Sequence, residues 1–190
     1  MFTTYAVKGQ QNYLDSQKKY EIARTVLYFA ISLSLFVAGI LATKTRKNLL
    51  TVVAMLGCLP ACKSMVGMIM FLKFKSLPEE ACKKIKQSIG SLQGLYDMVF
   101  TSYDKTYQVD HLVLKDHTLC CYCSHEKTDE NRCQEHLEKM LLQGGHKGLS
   151  IKVFKSLDKY TERLVSLNQL ENDQEDFRQA VYETLKSISH

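Results

Sequence analysis

The chain has 190 residues, 25 of them Lys or Arg and 20 Asp or Glu, which allows an apolar hairpin plus one domain of about 100 residues and excludes a second such domain. The formal charge of +5 divides unevenly, since residues 1–73 carry nine basic against two acidic side chains and residues 74–190 carry sixteen against eighteen. The basic charge thus lies with the apolar part, where anionic head groups explain it. The rest of the chain lacks the basic footprint of a nucleic-acid binder, and no nucleic-acid partner is expected.

Residues 1–24 are polar and mixed in charge, with Tyr5, Tyr13 and Tyr20 alongside Lys18, Lys19 and Arg24. They read as a juxtamembrane helix whose tyrosines and lysines lie at head-group level.

Residues 25–73 read as a transmembrane helical hairpin. Thr25 to Thr43 is nineteen residues without a charge, enough at about 1.5 Å per residue to span a hydrocarbon layer of roughly 30 Å. Ala30, Ser34, Ala38 and Ala42 recur every four residues, and small side chains on one face let another helix approach closely. The second span of the same hairpin is the first candidate for that contact, ahead of a second copy of the chain. Leu49 to Leu72 is less regular: Pro60 removes a backbone donor, and Lys63 falls near the depth where a charge is most costly. An intramembrane lysine marks a partner carboxylate or a protein-lined cavity, or else a side chain that snorkels from a kinked helix. Lys63, Ala30, Ser34, Ala38 and Ala42 are therefore the candidate membrane or partner contacts. The basic flanks outnumber the basic loop Lys44-Thr-Arg-Lys-Asn48, which favours a two-span protein of the cell membrane with both termini cytoplasmic.

Residues 76–190 read as a small cytoplasmic α/β domain. Ser76-Leu-Pro-Glu79 has the form of a capping box opening a helix with Leu77, Ala81, Ile85 and Ile89 on one face, stopped by Gly90 and Gly94. Strand-like runs follow at Tyr96 to Tyr103, Thr106 to Leu114 and Thr118 to Ser124, with links short enough for hairpins. Thr128 and Asp129 open a helix that ends at Gly144-Gly145, and Gly148 to Phe154 alternates as a fourth strand. Ser156 starts a helix with Leu157, Tyr160, Leu164 and Leu167 on one face. A last helix, from Asp173 or Asp176, carries Phe177, Val181, Leu185 and Ile188. The order α-β-β-β-α-β-α-α predicts a mixed sheet flanked by helices.

The α-β-β-β-α-β order, with Gln108-Val-Asp-His-Leu-Val-Leu114 as its second strand, resembles the restriction-endonuclease-like fold of the nuclease-related domain type. The resemblance covers roughly Ser76 to Leu157. It implies that Asp110 binds a catalytic divalent metal, completed on the next strand by an acidic residue, one intervening residue and Lys. Here that place holds Cys123-Ser124-His125. A thiol in place of the carboxylate removes charge and hardness that Mg²⁺ requires, so the resemblance implies a degenerate site.

The seven cysteines are odd in number and crowded at Cys120, Cys121 and Cys123, which fits reduced thiols better than a disulfide framework. A second constellation is Cys123 and His125, alternating along a strand, with Cys133 and His136 at i, i+3 on a helix; together they have the donor set of a Cys₂His₂ zinc site. The competing reading is buried reduced cysteines with no cofactor. No phosphate-binding Gly-rich loop or activated nucleophile is recognisable. The sequence therefore favours a membrane-anchored, non-catalytic binding or assembly protein contacting lipid and a membrane partner or further copies of itself. A membrane-tethered metal-dependent nuclease using Asp110, and an accessory subunit of a transport or export complex, are the alternatives.

Overall fold

The computed structural model describes residues 8–43, 49–103, 105–125, 128–170 and 174–189. The chain separates into two compact units. Leu14–Lys75 forms one, and Ser76–His190 forms the other together with the stretch around Gly9 that precedes the first helix.

The first unit is two helices, α1 (Tyr13–Thr43) and α2 (Leu49–Leu72). The mixed-charge segment from Tyr13 runs without a break into the charge-free one, and residues 8–12 lie outside the helix. Within them, Tyr13–Leu41 and Met55–Leu72 are long and apolar enough to cross a membrane. Val26, Leu27, Leu33, Leu41, Met55, Leu56, Leu59 and Val66 are all exposed, whereas Thr25, Ser32 and Ser64 are buried. Large apolar residues outside and hydroxyls inside invert the arrangement that water imposes on a soluble helix pair.

Among its described residues the second unit has α3 (Glu79–Ile89), β1 (Gly94–Thr101), β2 (Thr106–Lys115), β3 (Thr118–Tyr122), α4 (Glu130–Gln143), β4 (Ser150–Phe154), α5 (Leu157–Asn168) and α6 (Glu175–Ile188). The strands lie in the order β1-β2-β3-β4. The first three are antiparallel and β4 runs parallel to β3, so α4 is the crossover. This is an α/β fold with a mixed sheet, as the alternating pattern predicts.

Strand alternation sends successive side chains to opposite faces, and two cores result. Leu112, Leu114, Leu119 and Cys121 pack with Leu137 and Leu141 of α4 and Val181 and Leu185 of α6. Val113, Cys120 and Tyr122 pack with Cys82 and Ile85 of α3 and Tyr160, Leu164 and Leu167 of α5.

Helix and strand ends show where local chemistry overrides pattern. Asp129 caps α4, its carboxylate accepting from the N–H groups of Asn131 and Arg132 at 3.1 and 3.3 Å. The capping box expected at Ser76 does not form: Pro78 occupies the N-cap position of α3. Leu77 N–H instead donates to Asp97 at 3.4 Å. Gly94 is the first residue of β1 and not a helix stop. A Cβ there would collide with His111 Nε2 and lie 2.9 Å from Cε1, so the strand needs glycine for the imidazole to pack. At the outer edge of β1, Gly9 bridges Tyr96 and Ser189 bridges Phe100. Lys8 Nζ donates to the Ser189 carbonyl at 2.8 Å, which ties the two closing segments together.

His111 is fully buried, with Nδ1 2.7 Å from the Tyr160 hydroxyl and its ring 4.3 Å from that of Tyr96. Burial holds the imidazole neutral, pushing its pKa down to about 3 from 6.5. The unfolded chain takes up this proton first, so the contribution to stability is full above pH 6.5 and is lost as pH falls toward 3. Urea unfolding of the purified chain should show a decline of roughly 1 kcal/mol per pH unit below about pH 6.5. His111→Gln should flatten that slope, and equal slopes in both proteins would remove His111 as its source.

Candidate functional site

The pairs Tyr96↔His111 and Met98↔Val109 place Asp97 opposite Asp110 across the β1–β2 ladder. Both aspartates are 1% exposed. Asp97 has φ +54°, a left-handed conformation uncommon for a non-glycine residue, which Asp tolerates better than most. Asp110 receives the Gln108 amide at 2.7 Å on one carboxylate oxygen and the Ser124 N–H at 2.5 Å on the other. Burial raises the Asp110 carboxyl above its ordinary range, against the lowering effects of the Ser124 and Gln108 bonds and of nearby His125. Asp97 is the site residue that the sequence reading missed. Its signal was an acid within the otherwise apolar run Leu95-Tyr-Asp-Met-Val-Phe100.

A hard divalent cation needs carboxylate lone pairs open to it. Each Asp110 oxygen already accepts one hydrogen bond, from Gln108 and from Ser124, and the third-strand residues add no carboxylate. Cys123 is buried in the α4/α6 core, while Ser124 and His125 are exposed.

The four residues with a zinc donor set are placed differently from one another. Cys123 and Cys133 are both fully buried and share a side-chain hydrogen bond. This bond, together with burial, keeps the proton on Cys123 and pushes its pKa well up. The same bond lowers that of Cys133. His125 is exposed. His136 is half-buried with its ring 5.5 Å from that of Tyr107. Regular strand ends at Tyr122, so Cys123 and His125 do not share a strand face as expected. Among the described residues no group of three or more His, Cys, Asp or Glu side chains is arranged to hold a metal ion.

In the helical hairpin the seam follows hydroxyls. Thr25 and Ser64 are 2.8 Å apart, and Ser32 lies 3.2 Å from Cys58 Sγ. Ala61 of α2 is also buried. Ala30, Ser34 and Ala38, expected on this seam, are exposed; Ser34 bonds back to the Ile31 carbonyl at 2.8 Å. The side chain of Ala42 lies outside the described residues. Hydroxyls that bond across the helices outweigh the closer approach that alanines permit. The two contacts also fix an antiparallel register in which Lys63, one residue before Ser64, is level with the start of the charge-free run of α1. Lys63 is exposed and falls at the middle of the apolar stretch Met55–Leu72.

Compared with known family models, curated proteins and solved structures, the chain matches none.

The raised Asp110 carboxyl binds a proton more readily folded than unfolded. Its contribution to stability is therefore full below the ordinary aspartate range and is lost as pH rises through its folded pKa. In urea unfolding, wild type should gain stability relative to Asp110→Asn as pH is lowered from neutrality toward about 4. A difference that stays constant with pH would count against a buried, proton-accepting Asp110.

Proposed function

We propose that the chain is a membrane-anchored binding or assembly protein whose α/β unit is a non-catalytic scaffold of the restriction-endonuclease-like type. The observation that carries this reading is the burial and internal hydrogen bonding of Asp110, whose two oxygens accept from Gln108 and Ser124 within a site 1% exposed. Bonded in this way, the Asp110 carboxylate joins β2 to the end of β3. The mixed sheet in the order β1-β2-β3-β4 and the two apolar helices are consistent with the proposal.

The second reading, a membrane-tethered metal-dependent nuclease, is favoured by Asp97, a second buried acid at the register position across the ladder from Asp110, because cation sites are built from more than one carboxylate. Incubation of purified wild type with DNA and RNA in Mg²⁺ or Mn²⁺ separates the two. We expect no cleavage from wild type or Asp110→Asn. Cleavage by wild type that disappears in Asp110→Asn would falsify the scaffold reading, because a metal-activated water depends on its ligand.

The charge on the flanks and the reduced cysteines favour an α/β unit on the cytoplasmic side. Cys121 and Cys133 are fully buried and make poor reporters of sidedness, whereas Tyr103 is fully exposed in the β1–β2 link. Tyr103→Cys should react with a membrane-impermeant thiol reagent only after permeabilisation. Labelling in intact cells would reverse the orientation.

A further inference from the structure

We propose that the outer edge of β4, with the groove beside α4, takes up an extended acidic segment of a partner protein as an added strand. The inference rests on the binding reading given above and supplies it with a surface and a partner chemistry. It starts from the bonding of a parallel ladder, in which every second residue of a strand directs both its N–H and its carbonyl to the same neighbour. Ser150 N–H donates to the His117 carbonyl at 2.8 Å, and the Phe154 carbonyl accepts from Cys123 N–H at 2.9 Å. Ser150, Lys152 and Phe154 are therefore the residues bonded to β3, and Ile151 and Val153 turn their N–H and carbonyl groups outward. β4 is the last strand of the sheet, and the isolated bridges among the described residues both lie on β1. One edge of the sheet is closed by Gly9 and Ser189, and the other is open.

The open edge borders a recess. A groove of about 380 Å³ lies between α4 and β4, with Leu142, Leu149 and Ile151 along it and Glu135 and Glu138 on the helix side. Leu142 is 56% exposed and belongs to neither core. Alternation puts Ile151 and Val153 on the α4 face of the sheet and Lys152 on the opposite face with Phe154. Residues 146–157 contain three lysines and no acid, with Lys152 within the strand and Lys147 and Lys155 beyond its two ends, all exposed. An added strand thus meets two environments. On the groove face apolar side chains suit Leu142 and Leu149, whereas acids would meet Glu135 and Glu138. On the other face acids suit Lys152. A segment alternating apolar and acidic residues satisfies both faces, while its backbone bonds to Ile151 and Val153. The same charge disfavours a second copy of the chain at this place, because one lysine-bearing edge would be set against another.

The test uses the full chain purified in mild detergent and a fluorescent synthetic peptide alternating valine and glutamate, with binding read by polarisation. Wild type should bind this peptide, and should bind one alternating valine and lysine roughly tenfold more weakly. Lys152→Glu should reverse the preference. Methylation of alternate backbone nitrogens of the peptide should abolish binding, since it removes the donors that face Ile151 and Val153. Val153→Pro should abolish it too, with the fold retained by circular dichroism, because a proline at an outward N–H leaves the β3 ladder intact. Lys105→Gln in the β1–β2 link should change nothing. Equal binding of the methylated peptide, or by folded Val153→Pro, overturns strand addition. Equal binding of the two peptides, or an unchanged preference in Lys152→Glu, overturns the acidic partner. A dimer in sedimentation that Val153→Pro dissociates, with no peptide bound, overturns the partner assignment in favour of a second copy. Absence of peptide binding by monomeric wild type overturns the groove but leaves the scaffold reading, which falls only to metal-dependent cleavage of nucleic acid.

Discussion

Strand β2 is buried from Tyr107 through Lys115, and the second unit is built around the difficulty this creates. A strand with no solvent on either face needs helices on both sides, which α3 and α5 supply for one core and α4 and α6 for the other. It also carries Gln108, Asp110 and His111 into the interior, where an unsatisfied polar group costs on the order of 1–3 kcal/mol. Gln108 and Ser124 answer Asp110, and Tyr160 answers His111. These bonds join the strand to the end of β3 and to α5, so they specify neighbours as well as satisfy charge.

The helical unit meets the opposite constraint. Its large apolar side chains need no covering by protein if lipid surrounds them, and its few hydroxyls do the joining. Thr25, Ser32 and Ser64 fix the register of the two helices.

Patterns that depend on one element alone were legible in the sequence. The apolar stripes at Leu77, Ile85, Tyr160, Leu164, Leu167, Val181 and Leu185 all face cores, and Asp129 caps its helix. Features that depend on two elements were not. The role of Gly94 follows from the His111 ring on the neighbouring strand, and that of Asp97 from a positive φ and from Asp110 opposite it. The hairpin seam was misread because a four-residue repeat of small side chains says where helices can approach, but not which polar groups will bond when they do. Cys123 and His125 were assigned one face on the assumption that β3 extended past Tyr122.

The sealing of β1 by Gly9 and Ser189 has a consequence for parity. Gly9 precedes the first long apolar helix and Tyr96 follows the second, yet the two share a backbone hydrogen bond of 2.9 Å. Residues bonded in one sheet occupy one aqueous compartment, so the chain between them traverses a bilayer an even number of times. For this pair of helices that leaves both crossing or neither. A single anchor is incompatible with the closed sheet edge, and a segment translated before the helices must wait for a strand translated after them.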